Sequence, residues 1–286
     1  MTPPMVTTPQ ATVTRLVALE GPMLTLPASA LLVGAEGAHL CPFPSFLIEH
    51  PQGKVLVDTG MRPEAADDPI GQYGDVGRHL LPDGFPRDAC VDRQLAKLGI
   101  APSEIGTVVM SHLHLDHTGM MSLFPHAQFV GGHGEMRHAL WPDPVQREGY
   151  FLPEDFAFLH DRPAQWLEVG PYDHDLFGDG SVVLFHLPGH TPGSLGVLVR
   201  TPEKNFFLAG DIVHLRGGLD GTPFPRDWSN EQGARSVARM NALAHAYDAQ
   251  IWVAHDPEDW AEHKHAPAAY DGAGVVEDRV PAQLSV

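Results

Sequence analysis

Residues 112–117 read His-Leu-His-Leu-Asp-His, and the chain enters them from the β-branched run Thr107-Val108-Val109-Met110. Three imidazoles and a carboxylate within six residues, with no thiolate, form a donor set suited to zinc or another borderline divalent metal. If the backbone is extended here, His112 and His114 project to one side and can grip one ion. Asp116 and His117, turned by the next residues, are then free to face a second. A fold built on such a segment must end a buried strand in a turn and bring further ligands from elsewhere. Three candidates sit at similar strand ends: His190 in Leu187-Pro188-Gly189-His190-Thr191-Pro192-Gly193-Ser194, Asp211 in Phe207-Leu208-Ala209-Gly210-Asp211, and His255 in Ile251-Trp252-Val253-Ala254-His255. The two oxygens of a carboxylate such as Asp211 can bridge ions held about 3.5–4 Å apart.

Composition narrows the partners. Against 36 Asp and Glu stand only 18 Lys and Arg, a formal charge of −18 over 286 residues. Nucleic-acid affinity rests on cations that neutralise phosphates, so no nucleic-acid partner is expected. Docking on anionic lipid is disfavoured for the same reason. The first twenty residues lack a cationic segment followed by an apolar core, and no run approaches the ~18 apolar residues of a membrane span. Cys41 and Cys90 have no CxxC partner and read as reduced thiols. A soluble, cytoplasmic protein is expected.

Strand-like runs at Phe46–Glu49 and Lys54–Asp58 flank the turn His50-Pro51-Gln52-Gly53 and predict a hairpin. Further strands are predicted at 107–110, 181–187, 195–199, 205–208 and 251–254, and an amphipathic helix over 229–247. Helical spacing also runs from Arg87 to Leu98. The Pro-, Gly- and Asp-rich stretch 62–87 reads as a long loop or insertion, one that could pack against a second subunit in a homodimer. Residues 1–30 are expected to be a flexible lead-in and first strand region, and 31–286 a single domain of layered α/β type.

The order HxHxDH, Gly-His, Gly-Asp and a final strand-end His resembles the metallo-β-lactamase superfamily, as does Asp58-Thr59-Gly60 after the strand Val55-Leu56-Val57. The likeness runs from about Leu40 to Asp271. It implies a four-layer αβ/βα sandwich with two divalent ions at one edge, zinc first, with manganese, cobalt or iron as alternatives. By position, His112, His114 and His190 would hold one ion, Asp116, His117 and His255 the other, and Asp211 would bridge them. Water shared by two such ions is a nucleophile near neutral pH, and Asp116 would protonate the leaving group.

Within the superfamily, Leu95–Gly119, Leu187–Leu195 and His255–Tyr270 are most similar to the N-acyl homoserine lactonases, the quorum-quenching branch. That implies a hydrolase opening the ring of a small, neutral lactone by attack of the shared hydroxide. Other lactones, esters or lactams are the alternative substrates. A glyoxalase-II-like enzyme would need a helical domain after His255, an RNA-processing nuclease a basic surface, and a persulfide dioxygenase only one iron. Two positions depart from the branch. His214 stands where a Tyr commonly orients the lactone carbonyl, a task for which imidazole can also donate, and Leu115 stands where Phe is frequent. Met120, Met121 and Trp260 are expected in core packing more than in an acyl pocket, Phe43 at the start of a strand, and His263-Lys264-His265 on an exposed helix face.

Overall fold

The computed structural model describes residues 12–146 and 149–273. Its strands are Arg15–Leu19 (β1), Met23–Pro27 (β2), Ala38–Pro42 (β3), Ser45–His50 (β4), Gly53–Val57 (β5), Ile105–Val109 (β6), Gln128–Gly132 (β7), Trp166–Val169 (β8), His174–Asp175 (β9), Val182–His186 (β10), Leu195–Arg200 (β11), Asn205–Leu208 (β12) and Ala249–Trp252 (β13). The helices are Pro69–Leu80 (α1), Val91–Lys97 (α2), Leu115–Thr118 (α3), Glu135–Leu140 (α4), Pro153–Phe156 (α5), Asn230–Ala246 (α6) and Pro257–Glu262 (α7).

Two sheets carry the site. One has the order β1-β4-β5-β6-β7-β8, antiparallel as far as β5 and parallel beyond it. The other has the order β13-β12-β11-β10-β9, with only β12 and β13 parallel. Successive side chains of a strand face opposite ways, so in β4 Phe46 and Ile48 turn inward while Leu47 turns outward. The inward set packs with Val55, Val57, Val197 and Phe206 between the sheets. Leu47, Leu56 and Val108 pack outward on Tyr73 of α1 and Leu95 of α2. On the far side Phe185, Leu198 and Phe207 meet Val237, Met240 and Ala244 of α6. Fully burying each such side chain is worth about 1.5–3 kcal/mol. The result is the helix–sheet–sheet–helix sandwich of the metallo-β-lactamase fold.

The hairpin, strands β10 to β13 of the second sheet and the long helix lie close to where the sequence pattern places them. Two segments differ. The stretch 62–87 contains a 3-10 turn, Pro63–Ala66, and the twelve-residue helix α1. Pro63 and Pro69 start helices instead of marking a loop: Asp68 caps α1, its Oδ1 accepting from Gly71 N at 2.9 Å, and Pro69 takes the first position. Gly74, at φ +58°, kinks the helix. The helix expected from Arg87 is a short turn, Arg87–Ala89, followed by α2. Of the expected lead-in, residues 1–11 lie outside the described residues, while β1 is a buried strand of the first sheet. Cys41 and Cys90 are free and buried.

β6, β10, β12 and β13 all end at one edge, where Leu195 N donates to Ser111 O at 2.8 Å and links the sheets. The loops leaving these four strands carry every expected ligand.

Candidate metal centre

The centre is assembled by a few buried groups. Asp58, at the end of β5, adopts φ +60°, a left-handed conformation that Asp tolerates better than most residues. Its Oδ1 accepts from Ser111 N at 2.7 Å, and its Oδ2 accepts from Ser111 Oγ at 2.7 Å and from His117 Nδ1 at 2.9 Å. Ser111 Oγ lies 3.1 Å from His112 Nδ1 and, having given its own proton to Asp58, accepts there. His255 Nδ1 donates to Pro42 O at 2.8 Å, and His190 Nδ1 lies 3.3 Å from Asp227 Oδ1. With their outer nitrogens so engaged, all four rings turn Nε2 inward, the usual arrangement behind metal-bound imidazoles.

Those inner atoms fall into two groups around Asp211. Its Oδ1 lies 3.1 Å from His255 Nε2 and 3.4 Å from His117 Nε2, which is itself 3.3 Å from Asp116 Oδ2. Its Oδ2 lies 3.6 Å from His190 Nε2 and 3.8 Å from His112 Nε2, and His114 Nδ1 completes that group 3.0 Å from His190 Nε2. Two ligands each 2.0–2.1 Å from one ion stand roughly 3.0–3.4 Å apart, so both groups have the size of a coordination shell. His112 Nε2 and His117 Nε2 are buried and make no hydrogen bond, which fits groups that serve a cation. All seven expected ligands come together, and His214 joins them with Nε2 3.1 Å from Asp211 Oδ2.

The electrostatics follow from burial. Desolvation pushes His112, His114 and His214 below the ordinary imidazole range, keeping them neutral. Desolvation also acts to lower His117, but Asp116, Asp58 and Asp211 overcome it and raise the ring well above its usual range. Burial would raise Asp116, yet His117 holds it at about 2. Asp211 likewise sits well below the carboxylate range against its own desolvation, held there by His255 and His117. The partners of both carboxylates are imidazoles. The positive charge that these buried carboxylates require comes from His117 and His255, both raised, and is a charge that bound cations could supply instead.

One residue absent from the sequence reading holds two of the loops. Glu135, fully buried at the start of α4, accepts from Leu113 N at 2.8 Å through Oε1 and from Gly193 N at 2.9 Å through Oε2. It thereby clamps the two histidine loops together, and burial raises its carboxyl. A Cβ at residue 193 would come 2.3 Å from Glu135 Cβ, so only glycine fits. An acidic residue in the first turn of a helix is too common to signal this role. Asp58 was legible as a turn, but its bond to His117 was not.

Above the ligands opens a cleft of about 660 Å³. Leu26, Leu31, Phe43 and Leu80 give it an apolar wall, and Tyr150 and Arg226 line it as well. Leu115 and Asp116 are at its base. Phe43 therefore belongs to the cleft, its ring 4.4 Å from that of His255, and not to a strand. Met120 and Met121 are packed in the core, and Trp260 stacks on His265 at 3.8 Å away from the cleft. His263, expected on an exposed face, is buried with its ring 4.2 Å from Trp252, and desolvation pushes its pKa down to about 4.

The family model described as the metallo-beta-lactamase superfamily matches residues 41–273. The chain belongs to that superfamily. Among its relatives, the N-acyl homoserine lactonase AttM of Azorhizobium caulinodans is 36% identical over 236 residues, covering 80% of this chain and 88% of its own. The structure of an N-acyl homoserine lactone hydrolase with N-hexanoyl-L-homoserine bound at its metal centre superposes with a TM-score of 0.78 at 23% identity, covering 91% of this chain and all of that one. AidC, a dizinc quorum-quenching lactonase, superposes with a TM-score of 0.66 at 15% identity, over 91% of this chain and 95% of its own. The two groups around Asp211 have the geometry of a dinuclear site, and the chain has the make-up of a metal-dependent hydrolase of the lactonase and esterase type.

Proposed function

We propose that this protein opens the ring ester of N-acyl homoserine lactones, with zinc as the metal at both positions. The carrying observation is Asp211, whose two oxygens face separate ligand groups at the floor of a cleft with an apolar wall. A pair of divalent ions there supplies an activated water near neutral pH and polarises a carbonyl. The chain supplies the rest. Asp116 turns Oδ2 toward His117 and His255, at 3.3 and 3.9 Å, which leaves Oδ1 to handle a proton. Asp116, ionised beside its imidazole partners, would take the proton given up by water and pass it to the ring oxygen as the ester C–O bond breaks. Leu26, Leu31, Leu80 and Phe43 shelter an acyl chain from water. A neutral, amphiphilic lactone suits that lining and meets no repulsion from a chain of charge −18. The donor set also accepts manganese, cobalt or iron.

The test is turnover by the two-zinc protein across acyl homoserine lactones, simple γ-lactones, aryl esters and nitrocefin. Acyl homoserine lactones should be preferred. Full metal loading with lactam or ester turnover but no lactone opening would refute the reading.

A further inference from the structure

We propose that His214 is itself a metal ligand, grouped with His190 and Asp211 at one side of the centre. His214 Nε2 lies 3.1 Å from Asp211 Oδ2, nearer than the Nε2 of His190 at 3.6 Å or of His112 at 3.8 Å. That spacing is what two donors on one ion require. Its donor atom, with those of His190 and Asp211, forms a compact metal-sized group. The ring is held there from both chain and side. It stacks on Phe224 at 4.1 Å with 12° between planes and meets the His190 ring at 4.8 Å. Just beyond it, Arg216 N donates to Asp256 Oδ2 at 2.8 Å, which pins the loop leaving Asp211.

The His214 side chain borders the cleft but is only 5% exposed, and its Nε2 turns to the carboxylate that both ligand groups share. His214 would add one imidazole on the His190 side of Asp211. The other side keeps two imidazoles and two carboxylates. The two positions would then differ in charge and in room for other ligands, which makes them chemically distinct. A sixth imidazole presupposes the two-ion centre but not the lactone substrate, so it stands even if the chain hydrolyses another ester.

The full-length protein loaded with cobalt(II) tests this without any turnover assay. Each bound imidazole contributes a hyperfine-shifted, exchangeable N–H resonance in the proton NMR spectrum. The wild type should show six, and His214→Ala should lose one while its visible d–d bands gain intensity as the coordination number falls. Cobalt affinity at that position should fall by at least about tenfold, but a group merely bonded to Asp211 would cost as much; the resonance count decides. His214→Gln, closer in size, repeats the measurement if the alanine variant does not fold. Five resonances in the wild type, or a count and visible spectrum unchanged in the variants, would overturn the assignment.

Discussion

Asp58 touches no expected ligand atom directly, yet Asp58→Asn should cripple one half of the centre. The substituted side chain keeps Oδ1 for Ser111 N. It places an amide N–H₂ where Oδ2 now accepts from Ser111 Oγ and from His117 Nδ1 at 2.7 and 2.9 Å. A donor then opposes the Nδ1 proton of His117, and the ring escapes the clash by moving its proton to Nε2, which removes the inward lone pair. A hydrogen bond to a charged group is worth about 1.5–3 kcal/mol. That is the size of the roughly 10–100-fold fall in affinity seen when a partner behind a metal-bound histidine is lost. Backbone strain is not a confounder, because Asn tolerates φ +60° as well as Asp does. The assay is competition with a fluorescent zinc chelator, which resolves two dissociation constants, with metal content after dialysis as a check. Zinc at the Asp116, His117 and His255 position should weaken by roughly 10–100-fold. The other ion should weaken less, because His112 is reached only through Ser111 Oγ. Two ions held as tightly as in the wild type, or the greater loss at the His112 position, would refute the reasoning.

Other perturbations have equally definite outcomes. Glu135→Gln leaves either Leu113 N or Gly193 N facing an amide N–H₂, which costs about 1–3 kcal/mol and should lower the melting temperature by roughly 2–10 °C in a thermal scan. Removing both ions with a chelator should lower it by roughly 10 °C or more, since two sites at a hundredfold excess over Kd contribute about 5 kcal/mol; an unchanged transition would mean that the buried carboxylates need no cation. Leu80→Trp fills the apolar wall and should cut kcat/KM for long-chain lactones more than tenfold while sparing short ones. His263 has a folded pKa of about 4, below its ordinary 6.5, so the unfolded chain binds the extra proton between those values. Stability should therefore be complete above about pH 6.5 and be lost as the pH falls toward 4. With chelator present throughout, urea unfolding of His263→Leu at pH 4.5 and 7.5 should show a smaller difference than in the wild type.

The fold is legible in the sequence where one short segment meets its own partner or one face of a layer. The hairpin β4–β5 announces itself through alternating apolar residues and a turn, and α6 through a clean apolar stripe. The region 62–87 misleads because proline and aspartate mark helix starts as readily as loops. Asp68 and Pro69 are distinguishable as cap and first turn only once the buried faces of Tyr73 and Val76 are known. His263 misleads for the mirror reason. Flanked by Glu262 and Lys264 it reads as exposed, yet Trp252 and Phe206 from neighbouring strands cover it.

The same contrast separates chemistry from specificity. HxHxDH is contiguous, and each remaining ligand ends a hydrophobic strand, so local pattern exposes the reacting groups. The cleft wall is assembled from β2, the turn that follows it, the segment after β3 and the end of α1, with Tyr150 and Phe224 added from two distant loops. None of these segments carries a mark of its own, because an apolar residue facing a cleft and one facing a core are patterned alike. His214 lies between the two cases. Its place three residues after Asp211 singles it out, but only the 3.1 Å approach of its Nε2 to the shared carboxylate gives a reason to count it among the ligands.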